Sequence, residues 1–186
     1  NYQWTDSHYG GGVWISNYAD VVLSGVQILN NKTIGTGGGI ATGAYCKVQI
    51  QEGTLVNGNK ASFYGGGIYG NGANVVMTGG EISDNQAQGS TYGWGGGLYF
   101  SSGKLTASSG KICRNTADNG GGGYISTAIL SGDVIISDNQ VKGNGGGING
   151  NVTMSEQARI EGNKADSIGG GVSGSLVMNG GILHGN

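Results

Sequence analysis

The sequence repeats a pattern along its length, and charged residues occur at the same position in consecutive repeats. Such a column of charged residues could support catalysis. Asp84, Arg114 and Asp138 each stand one residue before an asparagine. Glu81 and Lys111 form a second column of charged residues, three residues before Asp84 and Arg114. Inverting glycoside hydrolases hold two carboxylates about 6.5 to 9.5 Å apart. If the repeats stack as neighbouring strands, Asp84 and Asp138 would lie about 9.6 Å apart, close to that separation.

The cation between these carboxylates argues against a catalytic pair. Arg114 would lower the pKa of its neighbours, whereas a general acid needs a raised pKa. We therefore interpret the column as a structural ladder of exposed ion pairs, each contributing about 0 to 1 kcal/mol. A carbohydrate-active enzyme, either a polysaccharide lyase or a glycoside hydrolase, remains the alternative.

No other set of residues predicts catalysis, a metal or a cofactor. His8 and His184 stand far apart at opposite ends of the chain. Cys46 and Cys113 occur in different sequence contexts, which indicates free thiols rather than a disulfide framework or a metal cluster. The residues after the glycine triplets lack the aspartates of calcium-binding glycine-rich repeats.

Aromatic residues flank several glycine triplets and form the predicted binding surface. In a strand, successive side chains point to opposite faces, so the residue after an inward aliphatic points outward. We expect the following six aromatic residues to gather on one face: Tyr9, Trp14, Tyr64, Tyr69, Trp94 and Tyr99. An exposed aromatic row suits stacking on sugar rings or contact with a protein. The alternative is that the rings only cover the thin glycine-lined wall or pack under a neighbouring module.

The elements that must position these residues follow from a glycine repeat. Triplets begin at Gly10, Gly37, Gly65, Gly95, Gly121, Gly145 and Gly169, at intervals of 24 to 30 residues. An aliphatic residue follows six of the seven. The fifth is ambiguous by one residue, because four glycines precede Tyr124. Such triplets allow either a positive φ or a close approach between stacked repeats.

An asparagine follows each triplet at a second fixed point of the repeat, three residues after an aliphatic. These residues are Asn31, Asn59, Asn85, Asn115, Asn139, Asn163 and Asn186. An amide side chain both donates and accepts, so stacked asparagines could bond to one another along the axis while tolerating a left-handed turn. The pattern predicts a structural asparagine ladder.

Short segments of alternating hydrophobicity lie between the glycine triplets and the ladder asparagines, as strands with one buried face require. Helical repeats, propeller blades and leucine-rich repeats do not fit a glycine-punctuated period of this length. We therefore predict an all-β fold, a right-handed parallel β-helix of about seven coils, with 24 to 30 residues and three short strands per coil. Residues 1–186 would form a single domain, with 1–9 as an edge or lead-in segment, and we expect the chain to be a piece of a longer protein.

Two motifs recur together: the glycine triplet followed by an aliphatic residue, and the asparagine three residues after an aliphatic. They resemble the GGA-I and F-x-x-N repeats of the chlamydial polymorphic membrane proteins and, more loosely, adhesin-like repeats of bacterial surface proteins. The chain has a third glycine in place of their alanine, and Ile, Val or Leu in place of their phenylalanine. The resemblance implies an extracellular, cell-surface location and a role as a β-helical stalk or adhesin. It carries over no catalytic residues.

Composition limits the classes of partner that this chain could bind. Only 11% of residues are charged and the net charge is −2, so no basic stripe exists to bind nucleic acid. No apolar run is long enough to predict membrane insertion of this segment. We expect a non-catalytic adhesin or stalk that binds a glycan or a host surface protein, with a self-assembling filament subunit, stacked end to end, as a further alternative.

Overall fold

A computed structural model describes residues 8–89 and 92–186, so most of the lead-in segment predicted over 1–9 lies outside the described residues. The described chain is all-β and winds into a β-solenoid of about seven turns. Every strand pairing within it is parallel, which confirms the predicted fold class. Among the described residues there is no helix of the length and apolarity that crossing a membrane would need.

The described residues form twenty strands, which we number in chain order. They are β1 (Val13–Ile15), β2 (Asp20–Leu23), β3 (Gln27–Leu29), β4 (Lys32–Thr33), β5 (Ile40–Ala44), β6 (Lys47–Ile50), β7 (Leu55–Asn57), β8 (Lys60–Ala61), β9 (Ile68–Asn71), β10 (Asn74–Ser83), β11 (Gln86–Ala87), β12 (Leu98–Cys113), β13 (Thr116–Ala117), β14 (Gly123–Leu130), β15 (Ile135–Ser137), β16 (Gln140–Val141), β17 (Ile148–Glu161), β18 (Lys164–Ala165), β19 (Val172–Ser173) and β20 (Leu176–His184).

We number the coils one to seven and let each begin at the residue before its glycine triplet. Each coil contributes three strand segments to a continuous sheet, and in later coils these segments fuse across the corners, as in β12. A further two-residue strand follows the ladder asparagine of each of the first six coils. These strands, β4, β8, β11, β13, β16 and β18, form a separate six-stranded sheet. The sequence pattern did not predict this short fourth strand.

Aliphatic side chains stack along the inside of the solenoid and form its core. Ile40, Ile68 and Leu98 lie in register on adjacent coils and are all fully buried. Val13 occupies the same position in coil one but is partly exposed; among the described residues, coil two is the one neighbour that pairs with it. The buried stacks hold the coils together and fix which side chains point outward.

The glycine triplets combine both properties that were predicted for them. The first glycine of each triplet has a positive φ, between 63° and 72°. The second glycine lies against the next coil, where a Cβ on Gly96 would come within 2.6 Å of the Gly121 carbonyl oxygen. The triplets are therefore tight stacking points rather than flexible linkers.

The structure corrects the fifth triplet by one residue. Gly120, not Gly121, carries the positive φ, and its neighbours bond to the adjacent coils as the other triplets do. Gly123 then pairs with Leu98, so the aliphatic position of this coil holds a glycine. The buried Ile125 side chain reaches that space, since a Cβ on Gly123 would lie 2.4 Å from its Cδ1 atom.

The left-handed turn also lies one residue from its predicted place. The ladder asparagines do not have a positive φ; the residue before each of them does. These residues are Asn30, Gly58, Asp84, Arg114, Asp138, Gly162 and Gly185. The turn residue points outward, so the asparagine that follows is free to point into the ladder.

Candidate functional site

The six aromatic residues predicted to share a surface do come together, and two more rings join them. We call the whole group the aromatic face, and it comprises Tyr9, Trp14, Tyr64, Tyr69, Tyr92, Trp94, Tyr99 and Tyr124. Its rings are carried by the strands that follow the glycine triplets and by the corner residue before each triplet. Because the coils stack in register, equivalent residues lie directly above one another.

One row of rings runs along the solenoid axis on the outward positions of β9, β12 and β14. Tyr69, Tyr99 and Tyr124 are in register. The Tyr69 and Tyr99 rings are stacked with centroids 5.7 Å apart and planes 4° apart, and Tyr99 and Tyr124 follow at 5.4 Å and 18°. These are favourable offset-stacked distances.

A second row stands on the corner before the triplets and packs beside the first. Tyr64 and Trp94 are bridged in parallel, with centroids 5.6 Å apart. Tyr64 stacks on Tyr99 at 4.6 Å, and Trp94 stacks on Tyr124 at 5.1 Å. The two rows therefore form one continuous cluster over coils three to five.

Coil two lacks an aromatic residue at these positions, yet the cluster crosses it. Tyr9 reaches over coil two and contacts the Tyr69 ring at a centroid distance of 6.0 Å. Ala41, which lies between Trp14 and Tyr69 in the register, is fully buried. Tyr9 also contacts Trp14 at 5.1 Å, which links coil one to the rest of the face.

Sequence reasoning missed Tyr92 and Tyr124 as members of this face. Tyr124 was assigned to the aliphatic position because the fifth triplet was placed one residue late; choosing Gly120 would have put it in the tyrosine column. Tyr92 lies in the long corner before Trp94 and contacts its ring edge-on at 5.7 Å. No repeat pattern marks that corner.

Exposure differs strongly across the aromatic face. Tyr99 is only 8% exposed, because neighbouring rings cover it on several sides, whereas Tyr9 and Trp14 are 43% and 49% exposed. The expectation that Tyr99 is an exposed outward ring is therefore wrong: it points out of the coil but is covered by its neighbours. Burial, followed by the neighbouring Tyr64, raises the pKa of Tyr99 to about 12, and burial raises the pKa of Tyr69.

The charged column forms a compact ion-pair network on a different face. Arg114 bonds to both carboxylate oxygens of Asp84, at 3.0 and 2.8 Å, and to Glu81 at 3.2 Å. A side-chain hydrogen bond with Ser83, together with Arg114, lowers the pKa of Glu81, and hydrogen bonding to Arg114 lowers the pKa of Asp84. Asp138 lies outside these contacts. Lowered pKa values suit an ion pair and oppose a role as general acid.

The seven predicted ladder asparagines form a continuous hydrogen-bonded column. From Asn31 to Asn163, each amide nitrogen donates to the amide oxygen of the next asparagine at 2.8 to 3.0 Å. The backbone N–H of each of these residues donates to the same oxygen. The ladder fixes the axial register that aligns the aromatic rings on the opposite side of the triplets.

The remaining reactive residues do not assemble into a site. Cys46 and Cys113 are both free and buried, and burial, followed by Glu81, raises the pKa of the Cys113 thiol to about 11. His8 and His184 are exposed and separate. Within residues 8–89 and 92–186 no group of three His, Cys, Asp or Glu residues is placed to hold a metal ion.

A shallow groove of about 440 Å³ lies at the corner between the second and third strand segments of coils two to five. Its lining includes Gly80 and Gly110 at the corners of coils three and four, together with the charged residues Glu81, Lys111 and Asp133.

Comparisons with protein-family models, with curated proteins and with solved structures found no match to this chain. The resemblance to chlamydial surface repeats therefore has no support beyond the repeat motifs themselves.

Proposed function

We propose that this chain is a non-catalytic segment of an extracellular bacterial surface protein, a β-solenoid stalk or adhesin that binds glycans through its aromatic face. The observation that carries the proposal is the continuous cluster of aromatic rings, which extends from coil one across coil two to coil five on one side of the solenoid. Tyrosine and tryptophan present a rigid apolar surface with a polar tip, which suits the C–H faces and hydroxyls of a sugar.

The rings divide into a supporting group and a contacting group. Stacking covers the faces of rings such as Tyr99, so their contribution is to hold the surface in place. Rings at the rim, Tyr9 and Trp14, keep nearly half of their surface exposed and would contact the ligand. Burial raises the pKa of Tyr69 and Tyr99, which keeps these two hydroxyls uncharged, as recognition of a neutral sugar requires.

The proposal is tested with a glycan array. Wild-type protein is expected to bind a subset of glycans, and Trp14→Ala is expected to weaken that binding by about tenfold, the equivalent of ~1.4 kcal/mol. Trp14→Phe keeps a ring and should retain most of the binding. Ile168→Ala removes a residue that is 61% exposed in coil seven, away from the face, and serves as the matched control.

Two results would contradict the glycan proposal. If the wild type binds no glycan, the ligand class is wrong; if Trp14→Ala binds as the wild type does, the aromatic face is not the site. Binding to host-cell proteins stripped of their glycans, lost in Trp14→Ala, would instead support a protein ligand at the same surface.

The groove lined by Glu81, Lys111 and Asp133 favours a second candidate, a carbohydrate-active enzyme. It places two carboxylates on either side of a lysine in a concave surface. The lowered pKa of Glu81 opposes general-acid catalysis at this position. Polysaccharide turnover by the wild type that disappears in Glu81→Gln or Asp133→Asn, with the fold intact, would replace the adhesin proposal by this one.

A further inference from the structure

Two tyrosines outside the aromatic face stack on the surface in an unusual backbone conformation. Tyr18 and Tyr45 lie at the corner after the first strand of coils one and two, with φ angles of 60° and 56°. Their rings are stacked at a centroid distance of 5.8 Å and an interplanar angle of 21°. A bulky residue at positive φ is a conformational outlier, and such outliers concentrate at functional sites.

The same corner in coil three shows what the fold itself requires. The coils align so that the Tyr18 N–H bonds to the Ala44 carbonyl and the Tyr45 N–H to the Asn71 carbonyl. Gly72 therefore follows Tyr18 and Tyr45 in this column, also with a positive φ. Glycine adopts that conformation without strain, so the corner needs no side chain. The backbone conformation of this corner therefore does not require either tyrosine.

Both rings lie on the surface rather than in the core. Tyr18 and Tyr45 are 73% and 68% exposed, the two most exposed aromatic rings among the described residues. Beyond Tyr45 the column continues with Gly72, so no third ring stacks there; a Cβ on Gly72 would lie 3.3 Å from Cδ1 of the Tyr45 ring. Since coil two lies between two other coils, the exposure of Tyr45 does not depend on what precedes the chain.

The corner is held rigidly. The Asn17 side-chain oxygen accepts a hydrogen bond from the Ala44 N–H at 2.8 Å, and the Cys46 thiol donates to the Ser16 carbonyl at 3.0 Å. These two cross-coil bonds lie on either side of the tyrosine pair. A ring pair on a fixed backbone binds with a small loss of conformational entropy.

From these observations we propose that Tyr18 and Tyr45 form a second saccharide-stacking site, which rests on the proposed glycan-binding function and extends it. The two charged side chains on the strands that follow, Asp20 and Lys47, are opposite in sign and in register, so the corner has no net charge to attract an ionic ligand. Ser16, Asn17 and Asn71 are exposed at the same corner and carry a hydroxyl and two amides, groups that hydrogen-bond to sugar hydroxyls.

The position of this site relative to the aromatic face indicates an oligosaccharide. Trp14 lies on the strand of coil one and Tyr18 at the corner that ends it, four residues later, so they are at most about 13 Å apart along the chain. A chain of several sugars can span that distance and contact both. Binding to both aromatic surfaces should therefore strengthen as the glycan lengthens.

The test uses the double variant Tyr18→Asn/Tyr45→Asn, because asparagine adopts the left-handed region readily. Glycans bound by the wild type are measured by array and by calorimetry, together with the melting temperature. Binding is expected to fall at least tenfold, while Tm stays unchanged or rises by about 2 to 4 °C through relief of strain. Tyr18→Phe/Tyr45→Phe keeps the rings and should retain binding.

Each contrary result has a distinct meaning. A marked fall in Tm of the asparagine variant would make the rings structural and overturn the inference. Wild-type binding that is lost in Trp14→Ala but kept in the double variant would overturn the inference and leave the proposed function standing. No glycan binding by the wild type would overturn both.

Discussion

Replacement of one central ladder asparagine should destabilise the whole solenoid. Asn115 is fully buried, and its amide nitrogen donates to the Ile82 carbonyl at 2.9 Å and to the Asn139 side chain at 3.0 Å. Its amide oxygen accepts from the backbone N–H and the side chain of Asn85, both at 3.0 Å. Four hydrogen bonds therefore depend on one side chain.

In Asn115→Ala, the Ile82 carbonyl and the Asn85 backbone N–H lose these partners inside the protein. An unsatisfied buried group costs about 1 to 3 kcal/mol, so the free energy of unfolding should fall by ~2 to 6 kcal/mol. For a chain of this size, that corresponds to a decrease in Tm of roughly 5 to 20 °C.

The assay is thermal and urea unfolding followed by circular dichroism. Asn151→Ala is the matched control, because Asn151 is exposed on β17 and its loss should change the free energy of unfolding by less than about 0.5 kcal/mol. Asn115→Asp tests the donor role separately, since a carboxylate fits the space but cannot donate. Its destabilisation should be large and should diminish in acid as the carboxylate protonates.

Two outcomes would refute this reasoning. If the Tm of Asn115→Ala lies within about 1 to 2 °C of the wild-type Tm, the hydrogen bonds of the ladder contribute little net stability. If Asn115→Asp is as stable as the wild type at neutral pH, donation by the amide is not what holds the coils in register.

Three further predictions concern the glycines, the tyrosines and the ion pair. Gly25→Ala should lower the free energy of unfolding by ~1 kcal/mol, and Gly96→Ala by several times as much, both measured by urea unfolding. The reason is that a Cβ on Gly96 would meet backbone atoms of the next coil, whereas a Cβ on Gly25 has open space. Equal losses would contradict close stacking. Stability should fall by about 2 kcal/mol between pH 10 and 12, because Tyr99 releases its proton in the unfolded chain but retains it in the folded protein; Tyr99→Phe should reduce this fall in alkaline denaturation. Arg114→Ala should raise the pKa of Asp84, measured by NMR titration, and cost about 1 kcal/mol or less at neutral pH, a difference that disappears as acid protonates the carboxylate; an unchanged pKa would contradict the ion pair.

Much of the architecture could be predicted because its signals repeat along the sequence. Stacked coils place equivalent residues in equivalent environments, so selection for stacking leaves glycine, asparagine and aliphatic residues at one period. The asparagine ladder could be located to the residue for this reason. The fifth triplet could not, since four consecutive glycines allow two alignments, and the positive φ of Gly120 and the pairing of Leu98 with Gly123 decide between them.

The candidate sites were predictable only in part. Strand alternation predicted that six rings share one face. It did not predict which rings cover which others. Whether Tyr99 is covered and Trp14 is open depends on contacts between coils, which the residue types alone do not encode. The strained corner at Tyr18 and Tyr45 carries no sequence signature, because tyrosine is not a residue that usually marks a left-handed turn.

The sequence by itself determined the repeat, the parallel stacking and the ladder, because each of these is a periodic requirement that every coil must meet separately. Only the tertiary structure decided the exact register, the residue that takes the left-handed turn, and which aromatic rings remain open to a ligand. Those properties depend on the relative position of groups 24 to 30 residues apart in the chain, brought within van der Waals or hydrogen-bonding distance by the winding of the solenoid.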